Sequence, residues 1–111
     1  MFPPMLPEVP SVHPSELDST APVPSGSTLL DVREQDEWDS GHAPGAVHIP
    51  LSDLPARYGE LDADSKVLVM CHSGARSARA TQWLNDAVGF EAMNVDGGIV
   101  AWAGAGLPVE R

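Results

Sequence analysis

The sequence predicts an α/β domain built on a mainly parallel sheet. Three observations predict it. Short, mostly apolar runs recur along the chain at Thr28–Val32, Ala46–Ile49 and Lys66–Met70, and a further strand is read at Glu91–Val95. Helix-compatible segments separate them, and such alternation is the signature of parallel strands joined by crossovers. The runs carry little of the apolar/polar alternation of a half-solvated sheet, which fits strands covered on both faces. At 111 residues the chain is of single-domain size, long enough to bury roughly two-thirds of its unfolded surface without disulfides or metal.

Taken in order, the elements have local causes. Seven of the 11 prolines fall within the first 24 residues, a density that defeats any long helix. Residues 1–8 are read as a flexible proline-rich tail and 9–111 as the domain. Glu8–Val12 is expected to add a short edge strand, where proline is tolerated. Ser15–Ser19 is expected to form one helical turn started by His13 or Pro14. Thr28–Val32 reads as a buried strand, and the acidic Glu34–Ser40 as a helix stopped by Gly41. Ala46–Ile49 is a second strand, entered through Pro44-Gly45 and closed by Pro50. Ser52 is expected to cap a helix reaching about Leu61. Lys66–Met70 is the strongest strand signal, β-branched and bounded by polar residues. In the helix that follows, Ala80, Trp83, Leu84, Ala87 and Val88 lie at the spacing of one buried face, and Gly89 ends it. Glu91–Val95 is the last strand, and Asp96-Gly97-Gly98 turns into a short helix around Ile99–Ala103.

Charge narrows the function. Six Lys and Arg stand against 16 Asp and Glu, a net charge of −10. That excludes the basic footprint of a nucleic-acid or anionic-membrane binder. A small anionic substrate stays open, because a few arginines can focus positive potential locally. The N-terminus has no basic start followed by an apolar stretch, so no secretory signal is read, and a cytoplasmic location is expected. Cys71 is the only cysteine, a pattern that suits a reducing compartment and a single catalytic nucleophile.

That cysteine closes the strongest strand and precedes a helix, at the end of a parallel sheet where ligands sit. Ser73, Gly74 and Ala75 are small enough for backbone N–H groups to converge, and convergent amides with a helix N-terminus favour an anion and a thiolate. Arg76 closes the loop with a guanidinium fork suited to oxygen anions. Arg79 lies one turn further on. A cysteine alone is more often a small buried hydrophobe; cysteine, small-residue loop and arginine together read as a catalytic or anion-cradling site. Asp31 and Arg33, at the end of the first buried strand, read as an ion pair that shapes the pocket. His42 and His48 read as hydrogen-bonded structural histidines. Trp38, Trp83 and Trp102 read as core or pocket rim, and Glu34, Asp36, Glu37 and Asp39 as a solvated helix face.

These residues resemble a known family. Cys71-His72-Ser73-Gly74-Ala75-Arg76-Ser77 resembles the C-x-x-G-x-R-S loop of single-domain rhodaneses, the sulfurtransferases. Leu30-Asp31-Val32-Arg33-Glu34 resembles that family's strand end. Glu37 with Gly41–Pro50 resembles its E-x-x-x-G-H-I-P-G-A-x-N-I-P element, and Asp96-Gly97-Gly98, Trp102 and Gly106-Leu107-Pro108 its ending. The departures are His48 for asparagine, Ala43 for isoleucine and the proline-rich start. The resemblance implies a rhodanese-like three-layer sandwich, a central sheet of about five strands with helices on both faces. It implies covalent sulfur transfer: Cys71 takes the outer sulfur of a donor such as thiosulfate as a persulfide and yields it to cyanide or a thiol. His72, Ser73, Gly74, Ala75, Arg76 and Ser77 then form the cradle, Arg76 faces the sulfonate of thiosulfate, Asp31 and Arg33 support it, and neither metal nor organic cofactor is required. A protein acceptor, which would make the chain a persulfide carrier, stays open. So does a non-catalytic binding module, although such modules typically lack the cysteine. A phosphatase or arsenate reductase is disfavoured: four residues separate Cys71 from Arg76 where the phosphatase loops have five, and no second cysteine offers an internal disulfide relay.

Overall fold

The computed structural model describes residues 7–111, and the expectation of a flexible tail falls largely on residues 1–6, which lie outside the described residues. Five strands form one sheet: β1 (Ser11–Val12), β2 (Ser27–Asp31), β3 (Val47–His48), β4 (Lys66–Met70) and β5 (Glu91–Val95). Their order is β1-β5-β4-β2-β3, and all four pairings are parallel. The crossovers carry α1 (Gln35–Asp39), α2 (Leu54–Arg57) and α3 (Ala75–Trp83), and α4 (Gly98–Gly104) follows β5.

Strand geometry sends alternate side chains to opposite faces, which splits the core in two. Leu30, Val32, Val67, Val69, Cys71 and Ala92 point to the face covered by Leu54, Ala80 and Leu84 of the α2–α3 layer. Leu29, Leu68, Met70 and Val95 point to the other, beneath Ile99 and Trp102 of α4. Trp102 is 1% exposed, and its indole N–H donates to the Pro108 carbonyl at 2.8 Å, so the largest core side chain leaves no polar atom unpaired.

The differences from expectation have local reasons. The predicted helix from Ser52 is broken into a 3₁₀ turn at Leu51–Asp53, the single turn α2, and a second 3₁₀ turn at Tyr58–Glu60. Pro55 lacks an N–H and is accommodated only in the first turn of a helix, so the regular helix starts beside it rather than at Ser52. After α3 the chain widens into a π turn over Leu84–Val88. The wider turn shifts the helical register, so Ala87 is exposed while Ala80 and Leu84 are buried. The N-terminal helical turn is a 3₁₀ turn at Pro14–Glu16, capped by the His13 ring, which accepts from the Ser15 amide. The edge strand is the two residues Ser11–Val12, and the Pro10 carbonyl ahead of it takes the Asn94 N–H at 2.8 Å. An antiparallel bridge between His42 and Glu110, unforeseen in the sequence, ties the C-terminal segment to the turn after α1.

Candidate active site

β2, β4 and β5 end side by side, and the segments leaving them build one cluster. Cys71 follows β4 and is 1% exposed. Its carbonyl accepts the Ile99 N–H at 2.9 Å, and the His72 carbonyl accepts that of Val100 at 3.2 Å. The first turn of α4 therefore fixes the backbone on which the thiol is mounted. The chain then crosses the exposed His72 and Ser73 to Gly74, whose φ of +106° suits glycine and starts α3. From that position the Gly74 N–H donates to Cys71 Sγ at 3.1 Å. The Ser77 hydroxyl, one turn into α3, lies 3.2 Å from the same sulfur and 2.5 Å from Asn94 Oδ1 on β5. It has one proton and two acceptors, so its donation can pass between the amide oxygen and the sulfur. Asn94 Nδ2 closes the ring by donating to the Gly74 carbonyl at 3.3 Å. Two donors thus face the sulfur at the positive end of α3, an arrangement that stabilises negative charge there. Ser77→Ala is expected to slow alkylation of Cys71 by iodoacetamide at neutral pH by about threefold to tenfold, the worth of one hydrogen bond to a charged acceptor; an unchanged rate would show that this hydroxyl serves Asn94 alone.

The charged residues form two linked pairs. Arg33 and Asp31 pair with each other in the interior, Nη2 to Oδ2 at 2.8 Å, at 4% and 0% exposure. Arg33 also donates to the carbonyls of Glu37 and Gly41, satisfying the buried cation that desolvation makes costly. Arg76 meets Glu37 in a two-pronged contact, Nη1 to Oε1 at 2.7 Å and Nη2 to Oε2 at 2.8 Å. Hydrogen bonding from Arg76 holds the Glu37 carboxyl down at about 2, and the same contact raises Arg76. Glu37 therefore belongs to the site and not to a solvated face. A carboxyl held below its ordinary value contributes stability that is complete above pH 4.5 and is lost as the pH falls from there toward about 2. Over that window the wild type is expected to lose denaturant stability more steeply than Glu37→Gln, and parallel curves would count against the pair.

His42 and His48 take structural places. The His42 ring bonds the Trp38 carbonyl at 3.0 Å through Nδ1, and His48 bonds the Arg33 carbonyl at 2.7 Å through Nε2. Trp38 stacks with both rings, at centroid distances of 3.8 Å to His42 and 4.7 Å to His48. Beside the loop opens a cleft of about 470 Å³, whose lining includes the polar Arg33, Glu37, Ser40 and His72 and the apolar Ile99, Ala103 and Val109. Among the described residues no group of three His, Cys, Asp or Glu side chains is placed to hold a metal, and no helix is long and apolar enough to cross a membrane.

The sequence family described as "Rhodanese-like domain" matches residues 15–105. The chain belongs to the rhodanese-like family. A Bacillus subtilis protein with the name "Putative sulfurtransferase YtwF" is 42% identical over 80 residues, 72% of this chain and 77% of that protein. A protein of Allochromatium vinosum with the name "Sulfurtransferase" is 38% identical over 81 residues, 73% of this chain and 76% of that one. The crystal structure of a rhodanese-related protein from Thermoplasma volcanium superposes with a TM-score of 0.81 at 34% identity, covering 91% of this chain and 97% of the other. The fold is the α/β rhodanese-like one, and its relatives point to sulfur transfer in the broad sense. The loop Cys71–Ser77 leaves the end of β4, and Asp31 stands at the end of the neighbouring β2, in register with Met70. Two participants escaped sequence reasoning: Asn94, hidden inside a strand, and Glu37, whose partner stands 39 residues away. For Glu37 a signal existed, its place at the head of the Gly41–Pro50 element.

Proposed function

We propose that the protein is a sulfurtransferase that carries sulfane sulfur as a persulfide on Cys71. The observation that carries this reading is the pair of donors, Gly74 N–H and Ser77 O–H, aimed at Cys71 Sγ from the start of α3. The thiolate attacks the outer sulfur of a donor such as thiosulfate or a persulfide. The new Sγ–S bond forms as the donor's S–S bond breaks, and its electron pair leaves with sulfite or with the donor thiolate. A second thiophile, cyanide or a thiol, then attacks the terminal sulfur and restores the Cys71 thiolate, so ping-pong kinetics follow. The displacement of a sulfane sulfur by a thiolate itself moves no proton. In this reading His72 through Ser77 cradle the terminal sulfur, Arg76 closes the loop at its mouth, and the Asp31–Arg33 pair holds the wall behind it. The donor and acceptor are small molecules, or the acceptor is a thiol on a protein. A lone thiol nucleophile suits a reducing compartment such as the cytoplasm.

Loop size supports sulfur over phosphate. Four residues between Cys71 and Arg76 make a ring fitted to one sulfur atom, whereas a phosphoryl group needs donors to three oxygens in its transition state. After incubation with thiosulfate, the intact mass is expected to rise by one sulfur atom and to return on addition of cyanide, with negligible hydrolysis of p-nitrophenyl phosphate. Phosphatase turnover that depends on Cys71, with no mass change, would replace this reading by the phosphatase one.

A further inference from the structure

We propose that the donor this site favours is a low-molecular-weight persulfide of zero or positive net charge with a hydrocarbon body, in preference to the thiosulfate dianion. The inference rests on the sulfurtransferase reading above and specifies its first half-reaction.

The charges at the mouth argue for it. A sulfonate calls for a guanidinium fork. Arg79, further along α3, lines a separate pocket with Leu51, Leu54 and Pro55, and the two forks at the loop and its cleft are committed. Arg76 is held by the two Glu37 oxygens. Arg33 is 4% exposed and bonded to Asp31 and to two carbonyls. Drawing Arg76 onto a dianion would strip it from a carboxylate held at about 2 and leave that carboxylate facing the substrate. Glu34, Asp36 and Asp39 add exposed negative charge along α1, and Asp96 adds it at the turn between β5 and α4. Asp31 and Arg33 cancel, as do Glu37 and Arg76; Arg111, whose Nε donates to the carbonyl of the cleft residue Ser40, offsets one of the four exposed acids, and the remaining balance opposes an anion, as does the net charge of −10.

The shape of the cleft agrees. Ile99, Ala103 and Val109 give it an apolar wall beside His72. Thiosulfate has nothing to bury there, whereas the carbon chain of R–S–SH does. The step balances without an added oxidant. The Cys71 thiolate bonds the outer sulfur of R–S–SH as the S–S bond between that sulfur and the inner one breaks. The electron pair leaves on R–S⁻, which takes a proton from water, and Cys71 is left as the persulfide.

The test is single-turnover loading of Cys71, followed by intact mass, with cysteamine persulfide (a zwitterion of zero net charge) and with thiosulfate. The persulfide is expected to load at least about tenfold faster, at a rate nearly independent of salt. The thiosulfate rate is expected to rise as salt screens the acidic mouth between about 10 and 300 mM. Glu37→Gln and Glu37→Ala, which release Arg76, are expected to raise the ratio of thiosulfate to persulfide loading about fivefold, the scale of one freed charge–charge contact near a surface. A thiosulfate rate that falls with added salt, or a wild type that loads thiosulfate as fast as the persulfide, would overturn the proposal even if neither variant folds. Failure of both donors to load Cys71 would instead remove the sulfurtransferase reading beneath it.

Discussion

Cys71→Ser is expected to lower sulfur transfer by at least about 10⁴-fold, the scale on which enzymes lose activity when a covalent nucleophile is removed. The hydroxyl replaces a thiol that is 1% exposed and already faces two hydrogen-bond donors, so the smaller oxygen fits the space and keeps its partners. The fold should survive, with a melting temperature within a few degrees of wild type. The variant should also gain no mass from thiosulfate or persulfide. Residual turnover above about 1% of wild type, a loss of less than about 3 kcal/mol in transition-state stabilisation, would mean that sulfur does not pass through this residue.

The largest stability effect is expected from Gly98→Ala. Gly98 has φ +57°, and a Cβ built there would lie 2.4 Å from both the Cys71 and the His72 carbonyl oxygens. Those oxygens cannot simply retreat, because Ile99 and Val100 hold them by hydrogen bonds from the next two amides. The left-handed backbone costs alanine about 1–2 kcal/mol, and the displaced loop adds the loss of two buried hydrogen bonds, so a total near 4 kcal/mol and a melting temperature lower by roughly 15 °C are expected. Gly104, in the same helix, has nothing within 4 Å of its Cβ direction. Gly104→Ala should therefore be neutral or stabilising by up to about 1 kcal/mol. Equal melting temperatures for the two variants would show that the contact between α4 and the Cys71 loop does not hold the site.

Legibility followed the range of the interactions. Lys66–Met70 and Glu91–Val95 were readable to the residue, because buried parallel strands are set by local apolar content. The Cys71 loop could be placed between β4 and α3 because its seven residues are consecutive, with Gly74 at the head of the helix. Ser52–Leu61 failed where Pro55 and Gly59 compete with helix propensity, and Ala87 failed because a π turn leaves no mark in a 3.6-residue periodicity. Glu37 sits among acids that look solvated, and only the fold brings Arg76 to it. Asn94 shows the same limit: in sequence it is one polar residue in a strand, and in space it holds both Ser77 and the carbonyl of Gly74.

Both margins of the sheet have a consequence for how the molecule behaves in company. β1 and β3, the two outer strands, are each two residues long. Pro10 precedes β1 and Pro14 follows it closely, while Pro44 and Pro50 flank β3. An incoming strand needs a run of unpaired N–H and C=O groups to add to, and proline supplies no N–H. Among the described residues neither outer strand gives an incoming chain more than two residues to add to, so the parallel core is a poor template along those strands. Concentrated solutions should accordingly stay free of thioflavin-positive fibrils while the fold is intact, and aggregation should begin only when β2, β4 or β5 is uncovered.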